Sequence, residues 1–569
     1  MTEQDKQLAD EVSHNRQEME NRWRRWEPIT LDQRYDAVTA MGADRPSVIT
    51  DEHTYSYQEM ADWSRALARG LVDLGVHPGD HVALLIDNRP EFIAARLAVS
   101  RVGAVAAPLN FQFRRDEVVD ALNYVEAKVL ITIDASIATN FLTILDEVMP
   151  GWEQGAQSPR LPYLEHVALV EPYRPHALNL AELVARGEHV PESEVLKRGA
   201  QTDPNSVADI IFTSGTSGRP LAAELTHDGI QRDAYGVAYH RALRDGSRTC
   251  FSLPMYHVFG YIAAFISSTF VRGAIVPRRV FNPVTMLNAI QQHKATDLFA
   301  VPTMTVALVN EAARGFYDLS SLESIISAAA PSPVWLWEKV MEEFHPHTVF
   351  TGYGQTELSA GSTVTLPGDP LDVVAGTVGT LLLGGIAAPQ DMNGVLFEYQ
   401  TLDHDTRKPL PTGQEGELWV RGPSVTKAYH NSPEHNGQTI KNGWLRSGDL
   451  GRFDSDGYLH LTGRAWELYK SGGENVAPKE IEDVLTSLPG VGQAFVAGVP
   501  DERMGQVGWA WVVPDGTAQL SEHELIHDCH LRLAPFKVPK KILFTTAEEL
   551  PLSSTGKVQK FRLVESVTQ

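Results

Sequence analysis

Alternating helix and strand patterns near the start of the chain limit the fold most strongly. In residues 59–75 large apolar side chains recur at helical spacing, and the pattern ends at Gly75. The run HVALLI (81–86) is typical of a buried strand, EFIAARLAVSRVG (91–103) of a helix, and AVAAPL (104–109) of another strand. Strand, helix and strand at this spacing predict a parallel sheet covered by helices.

The same alternation returns further along the chain. SIISAAAP (324–331) is typical of the end of a strand and PVWLWEKVMEEF (333–344) of a helix. HTVF (347–350) then indicates a strand that runs into TGYGQTE (351–357). Ligands of open parallel sheets bind beyond the carboxyl ends of the strands, so we expect Gln355, Thr356 and Glu357 to lie at a ligand site.

The last third of the chain has a different character. After about residue 395 the sequence indicates short strands and turns, and Asp456-Gly457 between alternating apolar residues predicts a hairpin. From residue 464 a smaller unit begins, and about 100 residues are enough for an independent domain. The predicted fold class is α/β. A large N-terminal domain (1–463) has parallel sheets covered by helices plus a small β subdomain, and a small mobile α+β C-terminal domain (464–569) follows.

Charge and composition exclude several classes of protein. The 569 residues carry a formal net charge of −23, which disfavours nucleic acid or anionic lipid as a partner. Cys250 and Cys529 are the two cysteines, so there is no disulfide framework. The charged N-terminus lacks the apolar core of a signal peptide, and the apolar run 261–271 is too short for a membrane span. The sequence predicts a soluble cytoplasmic protein.

The stretch FTSGTSGRPLAAELTH (212–227) has the composition of a phosphate-binding loop. Gly215 and Gly218 permit close backbone approach, so that successive N–H groups can point at one anion. Three hydroxyl side chains, from Ser214, Thr216 and Ser217, add further donors. The stretch is not a Walker loop, and taken alone it is also consistent with a Ser/Gly-rich surface turn.

Three further motifs accompany this loop. GYGQTE (352–357) offers the flat ring of Tyr353 and a carboxylate suited to Mg²⁺ that carries phosphates. RSGDLGRFDSDGYLHLTGR (446–464) offers Asp449 as an acceptor for ribose hydroxyls, with Arg464 nearby, and PLSSTGKVQK (551–560) puts Lys557 on a glycine-bearing turn. Individually each has an ordinary explanation: a core tyrosine, a turn aspartate and a solvated lysine.

In this order the motifs resemble those of the adenylate-forming superfamily, which contains acyl-CoA synthetases, carrier-loading adenylation domains and luciferase-type enzymes. The resemblance extends from YSYQEMADWSRALARGL (55–71) to STGKVQK (554–560). It implies that a carboxylic acid is activated with ATP and Mg²⁺ to an acyl-adenylate with release of pyrophosphate. The acyl group then passes to a thiol, usually that of CoA.

The resemblance also implies roles for individual residues. Tyr353 would stack on adenine beside the backbone of Ala330, Thr356 would contact the α-phosphate, and Glu357 would hold Mg²⁺. Asp449 and Arg464 would bind the ribose. Lys557 would bridge the carboxylate and the α-phosphate. The residues that would cradle the β- and γ-phosphates are Thr213, Ser214, Gly215, Thr216, Ser217 and Gly218.

Further implied residues concern the acid and the thiol. Gly472 and Gly473 would let the pantetheine arm pass after the small domain has rotated. His257 would line the acyl pocket, although a loop histidine with a purely structural role remains an alternative. The other residues expected at the acid are Thr303, Ala329 and Gly352. The segments around them favour an uncharged, largely apolar acid, aromatic or of medium chain length.

The sequence departs from the pattern of the superfamily at several positions. Leu221 and Ala222 stand where its members usually have lysine and glycine, and Arg219 is the candidate for the missing charge. Trp466 occupies the hinge about which the small domain would rotate, a position that is usually Asp or Lys. Because the thiol half-reaction depends on that rotation, it is in more doubt than adenylation. SAAAP replaces a commoner Gly-Gly-Ala run, and its added methyl groups are expected to narrow the floor of the pocket.

Alternative functions remain open from the sequence. The leading expectation is a stand-alone acyl- or aryl-CoA ligase. An enzyme that loads a separate carrier protein is the nearest rival, followed by one that uses an amine or an inorganic oxyanion as acceptor. The departures also leave open a nucleotide-binding regulator that has lost catalysis. A homodimer is common in the superfamily.

Overall fold

The computed structural model of the chain describes residues 3–137, 139–213, 221–403, 406–465, 467–471, 474–501, 503–552 and 558–568. The chain divides into two compact units. The first comprises Met1–Ala375, Gly379–Glu398 and Arg421–Lys441, and the second comprises Gly376–Val378, Tyr399–Val420 and Asn442–Gln569. These units are defined by compactness alone. The functional boundary predicted at residue 464 is a separate division, and it stays a prediction.

Helices and strands alternate through most of the chain. The helices are α1 (Glu3–Trp23), α2 (Leu31–Ala40), α3 (Tyr57–Asp73), α4 (Pro90–Arg101), α5 (Arg115–Tyr124), α6 (Phe141–Val148), α7 (Leu180–Arg186), α8 (Glu192–Gln201), α9 (His227–His240), α10 (Ser267–Phe270), α11 (Pro283–His293), α12 (Pro302–Ala312), α13 (Val334–Phe344), α14 (Leu371–Gly376), α15 (Pro433–Thr439), α16 (Pro478–Thr486), α17 (Glu522–Arg532) and α18 (Lys560–Thr568). The strands are β1 (Pro46–Ile49), β2 (Thr54–Ser56), β3 (His81–Leu85), β4 (Val105–Pro108), β5 (Val129–Thr132), β6 (His166–Leu169), β7 (Val207–Phe212), β8 (Ala222–Thr226), β9 (Arg248–Phe251), β10 (Ala274–Pro277), β11 (Asp297–Ala300), β12 (Ser324–Ser327), β13 (Thr348–Phe350), β14 (Gly352–Tyr353), β15 (Thr363–Val364), β16 (Thr380–Leu381), β17 (Glu398–Leu402), β18 (Gly416–Arg421), β19 (Ile440–Lys441), β20 (Trp444–Phe453), β21 (Leu459–Arg464), β22 (Tyr469–Ser471), β23 (Glu474–Val476), β24 (Val491–Asp501), β25 (Gly505–Pro514) and β26 (Lys541–Phe544).

Two parallel sheets form the framework of the described part of the first unit. One has the strand order β6-β5-β3-β4-β7-β8, and β8 runs antiparallel to β7 at its edge. The other has the order β13-β12-β11-β9-β10-β1-β2, and β2 is antiparallel at its edge. The alternation of patterns in the sequence is thereby confirmed, including the strands and helices expected at 81–109 and 324–350.

Local signals explain why α3 begins and ends where it does. The Ser56 side chain accepts a hydrogen bond from the Glu59 backbone N–H, and the Glu59 carboxylate accepts one from the Ser56 N–H at 2.7 Å, which is a capping box. At the other end Gly75 has a φ of +77°, the left-handed conformation that terminates many helices. The helix therefore has the length that its apolar pattern predicts.

Polar contacts attach the N-terminal helix α1 to the carboxyl end of α9. The Arg16 guanidinium donates to the carbonyls of Tyr239 at 3.0 Å and His240 at 2.7 Å, and the Asn15 amide donates to that of Ala242 at 3.0 Å. The last carbonyls of a helix have no partner within the helix, so these side chains complete α9. Sequence reasoning missed α1 because charged and polar residues dominate the segment, and its few apolar residues, such as the buried Met19, were not read as a helical face.

A buried ion pair joins α4 to the first sheet. The Arg96 guanidinium donates to both carboxylate oxygens of Asp209 on β7, each at 2.7 Å, and both side chains are at most 2% exposed. Burial alone lowers the pKa of Arg96, but the Asp209 carboxylate outweighs it and raises that pKa. In the second sheet Arg241 and Asp297 form another buried pair.

The second unit contains antiparallel strands and a small α+β region. Strands β18, β20 and β21 pair antiparallel, and the turn at Asp456-Gly457 connects β20 to β21, which confirms the predicted hairpin. The α+β region has the strand order β23-β22-β25-β24 with β26 parallel to β25. An apolar core that includes Ile481, Leu485 and Leu525 packs α16 and α17 there. No helix in the described ranges has both the length and the apolar character needed to cross a membrane.

Loss of one partner of the Arg96–Asp209 pair should destabilise the fold strongly. Asp209→Ala leaves a buried guanidinium without its counter-ion, so we expect the free energy of unfolding to fall by about 3–5 kcal/mol. The midpoint of urea denaturation measures this loss. Asp62→Ala is the control, since Asp62 pairs with Arg65 at an exposed position and its loss should cost at most about 1 kcal/mol. Equal shifts for the two variants would contradict the prediction.

Candidate active site

The segments expected to bind the acid and the nucleotide leave one edge of a sheet. β9, β11, β12 and β13 are parallel neighbours in the order β13-β12-β11-β9. The residues that follow their carboxyl ends include 256–261, 301–306, 328–332 and 351–360, the segments around the predicted His257, Thr303, Ala329 and Gly352. This is the position where open parallel sheets bind ligands.

Side-chain contacts tie these segments to each other. The Ser252 hydroxyl donates to the sulfur of Met304 at 3.8 Å. The Thr305 hydroxyl donates to the Ser327 hydroxyl oxygen at 2.8 Å. Thr303 is exposed in the first turn of α12. His257 is half-buried, and its Nδ1 accepts a hydrogen bond from the Phe259 N–H at 3.3 Å.

Backbone crowding explains the glycines of GYGQTE. A Cβ at Gly352 would lie 2.6 Å from the Thr363 carbonyl oxygen, and one at Gly354 would lie 1.6 Å from that of Ala360. The segment folds back on itself as the small antiparallel sheet β14-β15-β16. These two glycines therefore have a packing reason of their own. Tyr353, which lies between them, is 7% exposed.

Glu357 lies on a 3₁₀ turn (Thr356–Leu358) that begins three residues after the end of β14. Its Oε1 accepts a hydrogen bond from the Tyr429 hydroxyl at 2.9 Å, and its carbonyl accepts one from the Thr426 N–H at 2.6 Å. Thr356 is buried and Glu357 half-buried. Burial first, and then the Glu357 charge, raise the pKa of Tyr429, so the hydroxyl stays a donor.

The donor set at Glu357 fits a metal ion that arrives with phosphates. Among the described residues no group of three or more His, Cys, Asp or Glu side chains is placed to hold a metal. Mg²⁺ in nucleotide enzymes typically takes one or two carboxylates, and substrate phosphates and water complete its shell. A single half-buried carboxylate on a fixed turn meets that requirement.

Ala329 has a backbone conformation that is unusual for a residue with a side chain. Ala329 has a φ of +74°, a conformation that costs a residue with a Cβ about 1–2 kcal/mol relative to the right-handed region. Both alanines are exposed, while Ala328 is buried. The substitution of alanine for the commoner glycine in this run is therefore made at a strained position, and strain of this kind concentrates at functional sites.

The structure describes the two arms of the phosphate loop. Thr213 follows β7, and its N–H donates to the Leu221 carbonyl at 2.7 Å, which closes the β7–β8 hairpin at the base of the loop. The predicted residues Ser214, Gly215, Thr216, Ser217 and Gly218 lie outside the described residues, as does Arg219.

The predicted ribose-binding residues lie together in the second unit. Asp449 on β20 and Arg464 on β21 are cross-strand partners. The Arg464 Nε lies 2.5 Å from the Asp449 Oδ1, and Asp449 is 2% exposed. A carboxylate accepts several hydrogen bonds, so Asp449 has the chemistry expected of a group that binds vicinal hydroxyls.

The remaining predicted residues, Gly472, Gly473 and Lys557, and the departure at Trp466 lie outside the described residues. Their neighbour Lys560 is described: its ammonium contacts Glu467 at 2.6 Å and Glu482 at 2.8 Å. Burial by itself lowers the pKa of Lys560, yet the two carboxylates raise it. The residue three positions after Lys557 is thus fixed within the second unit.

Comparison with known proteins identifies the class. Residues 35–430 match the family of AMP-binding enzymes, and residues 480–557 match the AMP-binding enzyme C-terminal domain. Because the first match covers more than half of the chain, the chain belongs to this family. It is an AMP-forming acid–thiol ligase. With ATP and Mg²⁺ it activates a carboxylic acid as the acyl-adenylate and then transfers the acyl group to CoA.

Individual relatives support the same class. The chain is 32% identical to the 3-[(3aS,4S,7aS)-7a-methyl-1,5-dioxo-octahydro-1H-inden-4-yl]propanoyl:CoA ligase of Mycobacterium tuberculosis, over 94% of this chain and 98% of the relative. It is 31% identical to a feruloyl-CoA synthase of Amycolatopsis sp, over 89% and 92%. The crystal structure of the anthranilate CoA ligase AuaEII with anthranoyl-AMP has the same fold, with a TM-score of 0.80, 24% identity, and coverage of 95% and 97%.

A buried carboxyl group supports the segment after Glu357. Asp233 on α9 is fully buried, and its Oδ1 accepts a hydrogen bond from the Gly361 N–H at 3.3 Å. Within the described residues its Oδ2 has no hydrogen-bond partner. Burial raises the pKa of this carboxyl well above its usual range. Sequence reasoning missed Asp233 because nothing local distinguishes it from a helical surface aspartate.

The raised pKa of Asp233 predicts a pH-dependent effect of Asp233→Asn. Between the unfolded pKa of about 3.9 and the higher folded pKa, the folded state binds the extra proton, so stability falls as pH rises. Asparagine cannot ionise. We therefore expect the variant to gain stability relative to the parent, more at pH 8 than at pH 5, in the midpoint of thermal unfolding. An equal change at both pH values would be inconsistent with a protonated carboxyl.

Proposed function

We propose that this ligase activates an uncharged, largely apolar acid, aromatic, alicyclic or of medium chain length. The support is the composition of the four segments at the carboxyl edge, which contain no lysine or arginine to pair with a second carboxylate. Met255 and Tyr256 in the loop before His257 are buried, as is Tyr261 in the π-helix Phe259–Ile266 that follows it. The named relatives act on ring-bearing acids, which agrees with this proposal.

For the first half-reaction we propose that charge neutralisation and positioning do the catalytic work. The acid carboxylate attacks the α-phosphate, and two anions must approach each other. Residues 213–218 hold the outer phosphates, Thr356 contacts the α-phosphate, and Glu357 holds Mg²⁺. Lys557 neutralises the carboxylate and the α-phosphate as they meet, a task suited to a compact cation on a flexible stem.

The second half-reaction is proposed to use the C-terminal domain (464–569). AMP is a better leaving group than hydroxide, so the CoA thiol can displace it and form the thioester. Gly472 and Gly473 offer room for the pantetheine arm. A carrier-protein thiol is the alternative acceptor, and the two acceptors differ in whether CoA alone consumes the adenylate.

A panel of acids in an ATP–pyrophosphate exchange assay tests the acid class. We expect exchange with benzoate-type, cinnamate-type and medium-chain acids, and at least about tenfold less with dicarboxylates of similar size, because a buried unpaired carboxylate is costly. Product analysis after addition of CoA should show the thioester. Preference for a dicarboxylate would overturn the proposed class, and adenylate that persists with CoA would favour a carrier protein.

Replacement of the tail lysine separates the two half-reactions. Lys557→Ala should lower adenylation by orders of magnitude, since a cation that stabilises the transition state is lost, and leave transfer from premade adenylate to CoA nearly unchanged. Single-turnover assays of each step provide the measurement. Lys557→Arg is the matched variant, which keeps the charge and changes its shape. Equal loss of both steps in Lys557→Ala would contradict the assigned role.

A further inference from the structure

A short segment after β18, residues 426–430, forms an additional edge along β8. The Glu224 N–H donates to the Ala428 carbonyl at 2.9 Å, and the His430 N–H donates to the Ala222 carbonyl at 2.8 Å. Between them Ala223 and Tyr429 form an antiparallel bridge. Main-chain hydrogen bonds therefore fix the segment to β8, the strand that directly follows the phosphate loop.

The same segment also holds the turn that carries Glu357. The Tyr429 hydroxyl donates to the Glu357 Oε1 at 2.9 Å, and the Thr426 N–H donates to the Glu357 carbonyl at 2.6 Å. The Thr426 hydroxyl in turn donates to the Glu224 carbonyl on β8 at 2.8 Å. Backbone and carboxylate of Glu357 are thus both fixed relative to β8.

Tyr429 has little freedom to move away from this contact. It is 5% exposed, and its ring packs edge-on against His435 with centroids 4.6 Å apart. A hydroxyl on a buried ring adds rigidity that a flexible donor would lack. One carboxylate oxygen of Glu357 accepts a hydrogen bond from this buried hydroxyl, so the orientation of the carboxylate is restrained.

We propose that Tyr429 is a positioning residue for magnesium: it orients the Glu357 carboxylate at a fixed place relative to the outgoing arm of the phosphate loop. The inference rests on the proposed role of Glu357 as the metal carboxylate. Groups that orient a ligating carboxylate typically change metal affinity by about 10–100-fold when removed. Tyr429 itself touches neither the nucleotide phosphates nor the acid in this assignment.

Tyr429→Phe removes the hydroxyl and keeps the ring. We expect the Mg²⁺ concentration for half-maximal ATP–pyrophosphate exchange to rise about tenfold or more, while the rate at saturating Mg²⁺ stays within about twofold. Calorimetric titration of ATP at several Mg²⁺ concentrations should show the same shift in binding. The affinity for AMP in the presence of a chelator should not change.

Tyr124→Phe is the matched control. The Tyr124 hydroxyl contacts the His430 carbonyl and the Ser432 hydroxyl, so it holds the same segment without touching Glu357. Its Mg²⁺ dependence should equal that of the parent enzyme. An equal shift in Tyr124→Phe and Tyr429→Phe would show that general support of the segment, not orientation of the carboxylate, causes the effect, and would overturn the proposal.

The remaining outcomes are also decisive. An unchanged Mg²⁺ dependence in Tyr429→Phe overturns the positioning role, and so does a weaker affinity for metal-free AMP that matches the loss for ATP. Glu357→Gln tests the underlying assignment separately. If that variant keeps the parent's Mg²⁺ dependence, Glu357 is not the metal carboxylate, and the proposed function of this residue fails independently of Tyr429.

Discussion

Parallel pairing of β9, β11, β12 and β13 is the constraint on which the candidate site depends. Because these strands run in one direction with continuous register, the chain leaves the sheet at the same edge four times. Segments separated by about 20–50 residues in the sequence thereby become neighbours, which no local motif achieves. The segments proposed to bind the acid and the nucleotide are accordingly loops, while their positions are set by the backbone hydrogen bonds of the buried strands.

Buried charges reinforce this framework where the sheets meet their helices. Arg96 joins α4 to β7, the strand that enters the phosphate loop, and Arg241 joins the end of α9 to Asp297 at the start of β11. A guanidinium binds a carboxylate in a fixed planar geometry, so each pair fixes direction as well as distance. Such pairs contribute little net stability but are costly to break. Their value in this fold lies in the fixed placement of the strands that lead into the site.

Periodicity and turn chemistry predicted the elements from α3 to β4, the hairpin at Asp456-Gly457 and the edge at which Glu357 lies, because those features depend on neighbouring residues. Contacts between distant residues were not predictable. Tyr429 is 72 positions from Glu357, and no pattern around it indicates a partner. The raised pKa of Asp233 arises from its burial, and the hydrogen bonds by which α1 docks on the end of α9 join residues more than 220 positions apart.

The geometry also explains how the chain tolerates Leu221 in place of the loop lysine. Its contribution to the fold is the carbonyl that accepts the Thr213 N–H, and any residue supplies that carbonyl. The substitution therefore preserves the hairpin while it removes a positive charge from the phosphates. In the proposed mechanism, neutralisation of the outer phosphates would then depend more on Arg219, the candidate for the missing charge, and on a metal ion held by a well-oriented Glu357 carboxylate. The hydrogen bond from Tyr429 to Glu357 links that carboxylate to β8, the strand that begins directly after Leu221.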